Sequence, residues 1–182
     1  MKPALLLGAL LIATLAAEHA QASPEWNAGV ITSLCALGAD GVYFEDYAWC
    51  NSLHGDVLFG RDRGADFALG PYVDVSTRSF SDLRWGGGAS LLVPIIDDFP
   101  LVVSVGPYVN GVENLGLRSA LFWGLRSYNF HSRYGMAGGL VLAAENDFGK
   151  DPENALFAGV QIDGLWLALP FILGYEWIRG TD

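Results

Sequence analysis

The feature that most constrains this chain is a hydrophobic period of two. From Asp66 to Thr77 the residues Phe67, Leu69, Pro71, Val73 and Val75 alternate with Asp66, Ala68, Gly70, Tyr72, Asp74 and Ser76. Such alternation places neighbours on opposite faces of an extended strand, whereas a helix repeats every 3.6 residues. The rhythm recurs in Leu83, Trp85, Ala89, Leu91 and Val93 against Arg84, Gly86, Gly88 and Ser90. It recurs again in Leu101, Val103, Val105, Pro107 and Val109 against Ser104, Gly106, Tyr108 and Asn110. Two of these strands share a motif, Leu69-Gly-Pro-Tyr-Val73 and Val105-Gly-Pro-Tyr-Val109, with Gly and Tyr on the polar face. Proline inside a strand lacks a donor and normally marks an edge or a bulge.

Composition decides what kind of sheet this is. Apolar residues make up 52% of the chain and charged ones 16%, against about 25% charged in an ordinary soluble domain. Yet beyond residue 22 no apolar run reaches the roughly 18 residues of a spanning helix. The longest, Gly164 to Tyr175, is interrupted by Pro170. Apolarity is therefore spread singly along strands. The net charge is −10 with scattered basic residues, which excludes the clustered basic surface that nucleic acid requires.

The start reads as an export signal. Lys2, an apolar run from Ala4 to Ala17 and the small residues of Ala20-Gln21-Ala22 fit cleavage before Ser23. The expected organisation is a signal peptide over 1–22 and a single β-barrel domain over 23–182. Export takes Cys35 and Cys50 to an oxidising compartment, where a disulfide between them persists. Its loop is worth about 3 kcal/mol on the chain-entropy model.

The strand pattern predicts an all-β, closed, antiparallel up-and-down barrel. Strands are expected over Trp26–Leu37, Leu53–Arg61, the three alternating segments, Leu117–Tyr128, Tyr134–Glu145 and Leu156–Asp163. That makes eight strands plus an apolar C-terminal tail, an even number as in bacterial barrels. Ten would result if Val42–Trp49 formed a strand and the dipeptide Asp163-Gly164, a hairpin signal, turned the chain into one more.

The two faces differ in chemistry. The apolar face carries Leu, Val, Phe and Trp almost without charge. The other face carries a polar set expected in the lumen: Asp66, Asp74, Arg84, Arg118, Arg126, Glu145, Gln161 and Asp163. Glycines between them would leave room for long Arg and Tyr side chains. The aromatic residues Trp26, Tyr72, Trp85, Phe99, Tyr108, Trp123, Tyr134, Tyr175 and Trp177 include several near proposed strand ends, where a membrane boundary favours them. A soluble, lipocalin-like carrier would invert these faces. His54 has no metal-ligand spacing around it, and no metal or cofactor motif occurs.

With its export signal, alternating strands and tight polar turns such as Arg61-Asp62-Arg63-Gly64, the chain resembles small bacterial outer-membrane β-barrel proteins as a broad class. The resemblance implies residence in the bacterial outer membrane, with outer-membrane lipid and the barrel-insertion machinery as partners. It implies a non-enzymatic barrel with a side-chain-filled lumen, of structural or surface-contact role, through loops around Gly38–Asn51, Arg126–Arg133 and Asn146–Glu153.

An enzymatic alternative rests on Arg126-Ser127-Tyr128-Asn129-Phe130-His131-Ser132-Arg133-Tyr134. A His beside a Ser on such a barrel resembles lipid A deacylases, which implies His as base and Ser as nucleophile. The candidates are His131 with Ser127 or Ser132, and Glu145 as orienter. On a strand, adjacent His131 and Ser132 would point to opposite faces.

Overall fold

Alternating side chains leave each segment one face to hide, and hiding eight such faces together closes a sheet on itself. A computed structural model describes residues 24–39, 44–61, 65–96, 98–111, 114–127, 134–148 and 152–180. The expected signal segment 1–22, His131 and Ser132 lie outside them. The strands are β1 (Glu25–Ala39), β2 (Asp46–Leu58), β3 (Ala68–Arg78), β4 (Asp82–Ile96), β5 (Phe99–Asn110), β6 (Asn114–Arg126), β7 (Ala137–Asp147) and β8 (Glu153–Asp163). A helix, α1 (Gly164–Arg179), follows. Each strand pairs antiparallel with the next, and β1 closes on β8 from Gly29↔Asp163 to Ala39↔Glu153.

The barrel has eight strands. The expected first loop over 38–51 is mostly ladder. β1 continues to Ala39, and Asp46–Trp49 opens β2 through pairs such as Leu37↔Asp46 and Leu34↔Trp49. The ten-strand alternative falls for a second reason as well. The β1–β8 seam leaves no edge for another strand. Asp163-Gly164 therefore does not turn a hairpin: the Asp163 carboxylate accepts the Leu165 N–H and caps α1, as an N-cap residue does.

The repeated Gly-Pro-Tyr motif is a packing device. Register between β2 and β3 runs only as far as Asp56↔Tyr72, so Pro71 falls just past its end. Between β4 and β5 the ladder skips from Gly86↔Tyr108 to Ala89↔Val105, and Pro107 falls in the gap. In both places the missing donor has no ladder bond to break. The preceding glycine lets the strands approach: a Cβ on Gly70 would lie 1.7 Å from the Val57 carbonyl oxygen. On Gly106 it would lie 2.2 Å from that of Gly87. The tyrosine then enters the lumen, where Tyr72 and Tyr108 are buried. Most lumen-facing glycines thus serve strand curvature. Gly116, crowded by the Tyr108 ring, is the kind of room-making glycine that composition suggests.

The outward positions of all eight strands hold no Asp, Glu, Lys or Arg from Trp26 on β1 to Ile162 on β8, leaving aside the strand-end residues. Two rings of exposed aromatics flank this belt. Trp26, Phe59, Phe67, Phe99 and Trp123 lie at the end where β1 begins, and Phe44, Tyr47, Trp49, Phe80, Trp85 and Phe148 at the far end. Trp26 and Leu34, which pairs with Trp49, are eight residues apart on β1. That is about 26 Å along a strand, or about 20 Å of height at the roughly 40° tilt of such strands, a little under the roughly 25 Å apolar band of membrane barrels. Inside, Ile31, Leu58, Ala68, Leu92, Val102, Phe122, Ala137 and Val141 form one apolar cluster. A second surrounds the disulfide Cys35–Cys50, which staples β1 to β2 inside the barrel.

Candidate functional site in the lumen

Every second residue of a barrel strand points inward, so the polar residues at that parity meet across a narrow space. Five arginines, Arg61, Arg78, Arg84, Arg118 and Arg126, are each at most 6% exposed. Charges so buried require partners, and the lumen supplies them in two groups.

Where β1 begins, Arg126 forks onto Asp56 with bonds of 2.8 and 2.6 Å and reaches Glu25 at 3.2 Å. Arg61 meets the same Glu25 at 3.0 Å. Beside them Asp163 accepts from Asn27 (2.9 Å), the Ala137 N–H (2.8 Å), Tyr134 (2.8 Å) and the Leu165 N–H (2.8 Å). Gln161 donates to Asn27 at 3.1 Å. Asp163 thereby ties β1, β7 and the start of α1 together. Burial, and then the bond to Asp163, push the Tyr134 phenol up to about 12.

Towards the far end Glu145 is the centre. Its carboxylate accepts from Arg118 (3.0 Å), Arg84 (3.0 Å) and Arg78 (3.1 Å). Arg118 also holds Asp74 at 2.9 Å, Arg84 holds Asp82 at 2.9 Å, and Arg78 pairs with Glu153. Tyr108 donates to Asp147. Between the groups stands His54, 3.7 Å from both Asp56 and Asp74 and stacked on Tyr72 at 5.5 Å. A chain of polar contacts thus runs Glu25–Arg126–Asp56–His54–Asp74–Arg118–Glu145.

Of the polar set read from sequence, Asp74, Arg84, Arg118, Arg126, Glu145, Gln161 and Asp163 are buried in the lumen. Asp66 is not among them: it occupies the turn ahead of β3, because that strand begins only at Ala68. Glu25, Asp56, Arg61, Arg78 and Asp147 escaped the reading. For Glu25, Arg78 and Asp147 the signal was the same inward parity carried one or two residues past the expected strand ends, as Asp74, Ser76 and Arg78 illustrate. Asp56, by contrast, lay inside the expected strand Leu53–Arg61 and Arg61 at its end.

Of the catalytic candidates, the described Ser127 and Glu145 do not come together. The Ser127 N–H bonds the Met136 carbonyl at the end where β7 begins. Glu145 lies nine residues further along, about 30 Å of extended chain, with its oxygens taken by three arginines. A carboxylate so placed does not orient a base that acts on Ser127. Among the described residues no group of His, Cys, Asp and Glu could hold a metal ion.

No protein-family model and no curated protein matches this chain. Among solved structures it is similar to Ail, the attachment invasion locus protein of Yersinia pestis, in complex with the heparin analogue sucrose octasulfate. The likeness covers 77% of this chain and 98% of that one, at 9% sequence identity and a TM-score of 0.42.

Proposed function

We propose that the chain is a bacterial outer-membrane β-barrel, non-enzymatic, with a lumen filled by ion pairs and a structural role in the envelope. The observation that carries this reading is the charge-free outward belt of a closed barrel whose arginines are gathered inside. In water such a surface is a large apolar exposure with nothing to offset it. In hydrocarbon, closure leaves the sheet no unpaired edge strand and the belt meets lipid. A soluble carrier would need the opposite faces. The seven connections run from two residues (97–98) to ten (127–136), which favours architecture over contact through long loops. Outer-membrane lipid and the barrel-insertion machinery are then its partners.

Cell fractionation with an alkaline wash, followed by electrophoresis of unheated and boiled samples, tests this. The protein is expected in the washed outer membrane, with different mobilities before and after boiling. Recovery in the soluble periplasm without a heat shift would overturn the reading.

A further inference from the structure

The helix α1 is apolar on every side. Its sixteen residues include Leu165, Trp166, Leu167, Leu169, Phe171, Ile172, Leu173, Tyr175, Trp177 and Ile178, all more than 40% exposed, and none of its residues is buried. Glu176 and Arg179, its two charged residues, share the last turn and the same side, three positions apart. At about 100° per residue the large apolar side chains occupy the whole circumference. A helix that docks on a protein surface has an apolar stripe and a polar back. This one has no polar back along its first three turns, so a groove or a second copy would cover one side and leave the rest in water.

An apolar medium covers all sides at once. We infer that α1 is immersed in the hydrocarbon of the bilayer, beside the barrel, as a second lipid-contacting element. This rests on the membrane reading of the barrel. Two placements support it. Asp163 caps the helix at the end of β8, so α1 departs from the rim of the belt. Trp166, in its first turn, lines one apolar depression with Phe99 and Trp123 of the aromatic ring at that end. The apolar surface of the barrel therefore continues into the helix without a polar break. At about 1.5 Å per residue α1 is about 24 Å long, short of the roughly 30 Å hydrocarbon core. It is an embedded segment, not a crossing one.

The test is a fluorophore at Leu173→Cys, attached in the full chain reconstituted in phosphatidylcholine vesicles; the native cysteines are bonded to each other and do not label. A label at Val73→Cys, on the outward face of β3, reports the barrel in parallel. Immersion predicts blue-shifted emission at both sites, strong quenching by brominated acyl chains and little by iodide. If the β3 label meets lipid but the α1 label is quenched by iodide, the inference fails and the barrel reading stands. If the α1 label is shielded from both quenchers and its shielding fades on dilution into excess lipid, a second copy covers the helix and the inference fails. If neither label meets lipid, the membrane reading fails and takes this inference with it.

Discussion

Glu145 is the residue on which the far half of the lumen depends, because three guanidinium groups converge on one carboxylate. Breaking a buried pair by deleting one partner leaves an uncompensated charge, at about 3–5 kcal/mol. Glu145→Ala leaves Arg118 its bond to Asp74 and Arg84 its bond to Asp82, so the loss belongs at the lower end of that range. Urea unfolding of the folded barrel in lipid vesicles, followed by Trp fluorescence, reads it directly. A midpoint unchanged from the parent would mean that the convergence is not structural. Tyr134 gives a pH signature outside the strands. Its phenol holds its proton up to about 12 in the fold, against about 10 for a free tyrosine. The folded pKa is the raised one, so the stabilisation is complete below pH 10 and is lost as pH rises through about 12. Ultraviolet titration of the parent minus Tyr134→Phe should isolate an ionisation near 12, and a difference spectrum centred at 10 would contradict it. Much of this lumen was legible residue by residue: inward parity alone singles out Asp74, Arg84, Arg118, Arg126 and Glu145. The pairing was not legible, because parity says which face a side chain shares and not which strand it meets across the barrel. His54 reads as an isolated histidine until β2 and β3 are set in register and bring it between Asp56 and Asp74.

At the scale of the element, close approach of strands sets the rules. A Cβ on Gly106 would lie 2.2 Å from the Gly87 carbonyl oxygen, whereas one on Gly55 meets nothing nearer than 3.6 Å. Gly106→Ala should therefore force β4 and β5 apart, at about 1–3 kcal/mol by analogy with overpacked cores. Gly55→Ala should change stability by no more than about 0.5 kcal/mol. Paired urea titrations compare them, and equal effects would remove the close-approach argument. Strand existence was legible from alternation in β3, β4 and β5. Strand ends were not: β2 begins at Asp46, seven residues before the alternation in Leu53–Arg61 becomes plain. Its first residues, Asp46-Tyr47-Ala48-Trp49, alternate weakly because they lie at the polar rim, where both faces approach water. The fate of Asp163-Gly164 was equally local and equally undecidable from sequence. An Asp-Gly pair turns a hairpin where a strand edge is free, and caps a helix where closure has consumed that edge.

For the whole molecule the question is whether a closed barrel with a polar interior conducts. The charged groups share the lumen with an apolar cluster that draws residues from seven of the strands, Phe122, Val102 and Leu92 among them. The gap beside His54, lined by Tyr72, Ser104, Arg118 and Arg126 among others, amounts to about 20 Å³, room for about one water molecule. Hydrated ions need a continuous wet path, and the two charged groups obstruct it independently. Glu25, Arg61, Arg126 and Asp56 fill the end where β1 begins, while Arg78, Arg84, Arg118 and Glu145 fill the far half. The parent protein in planar bilayers is therefore expected to give no stable conductance steps. Replacing Arg118 and Glu145 together by Ala removes charge from one plug and leaves the other, so that variant should also stay silent while its urea midpoint falls. Sustained channel openings from the parent would overturn the filled-lumen reading and with it the structural role. Openings from the double variant alone would place the whole barrier in the far half and make the Arg126–Asp56 fork a matter of stability rather than occlusion.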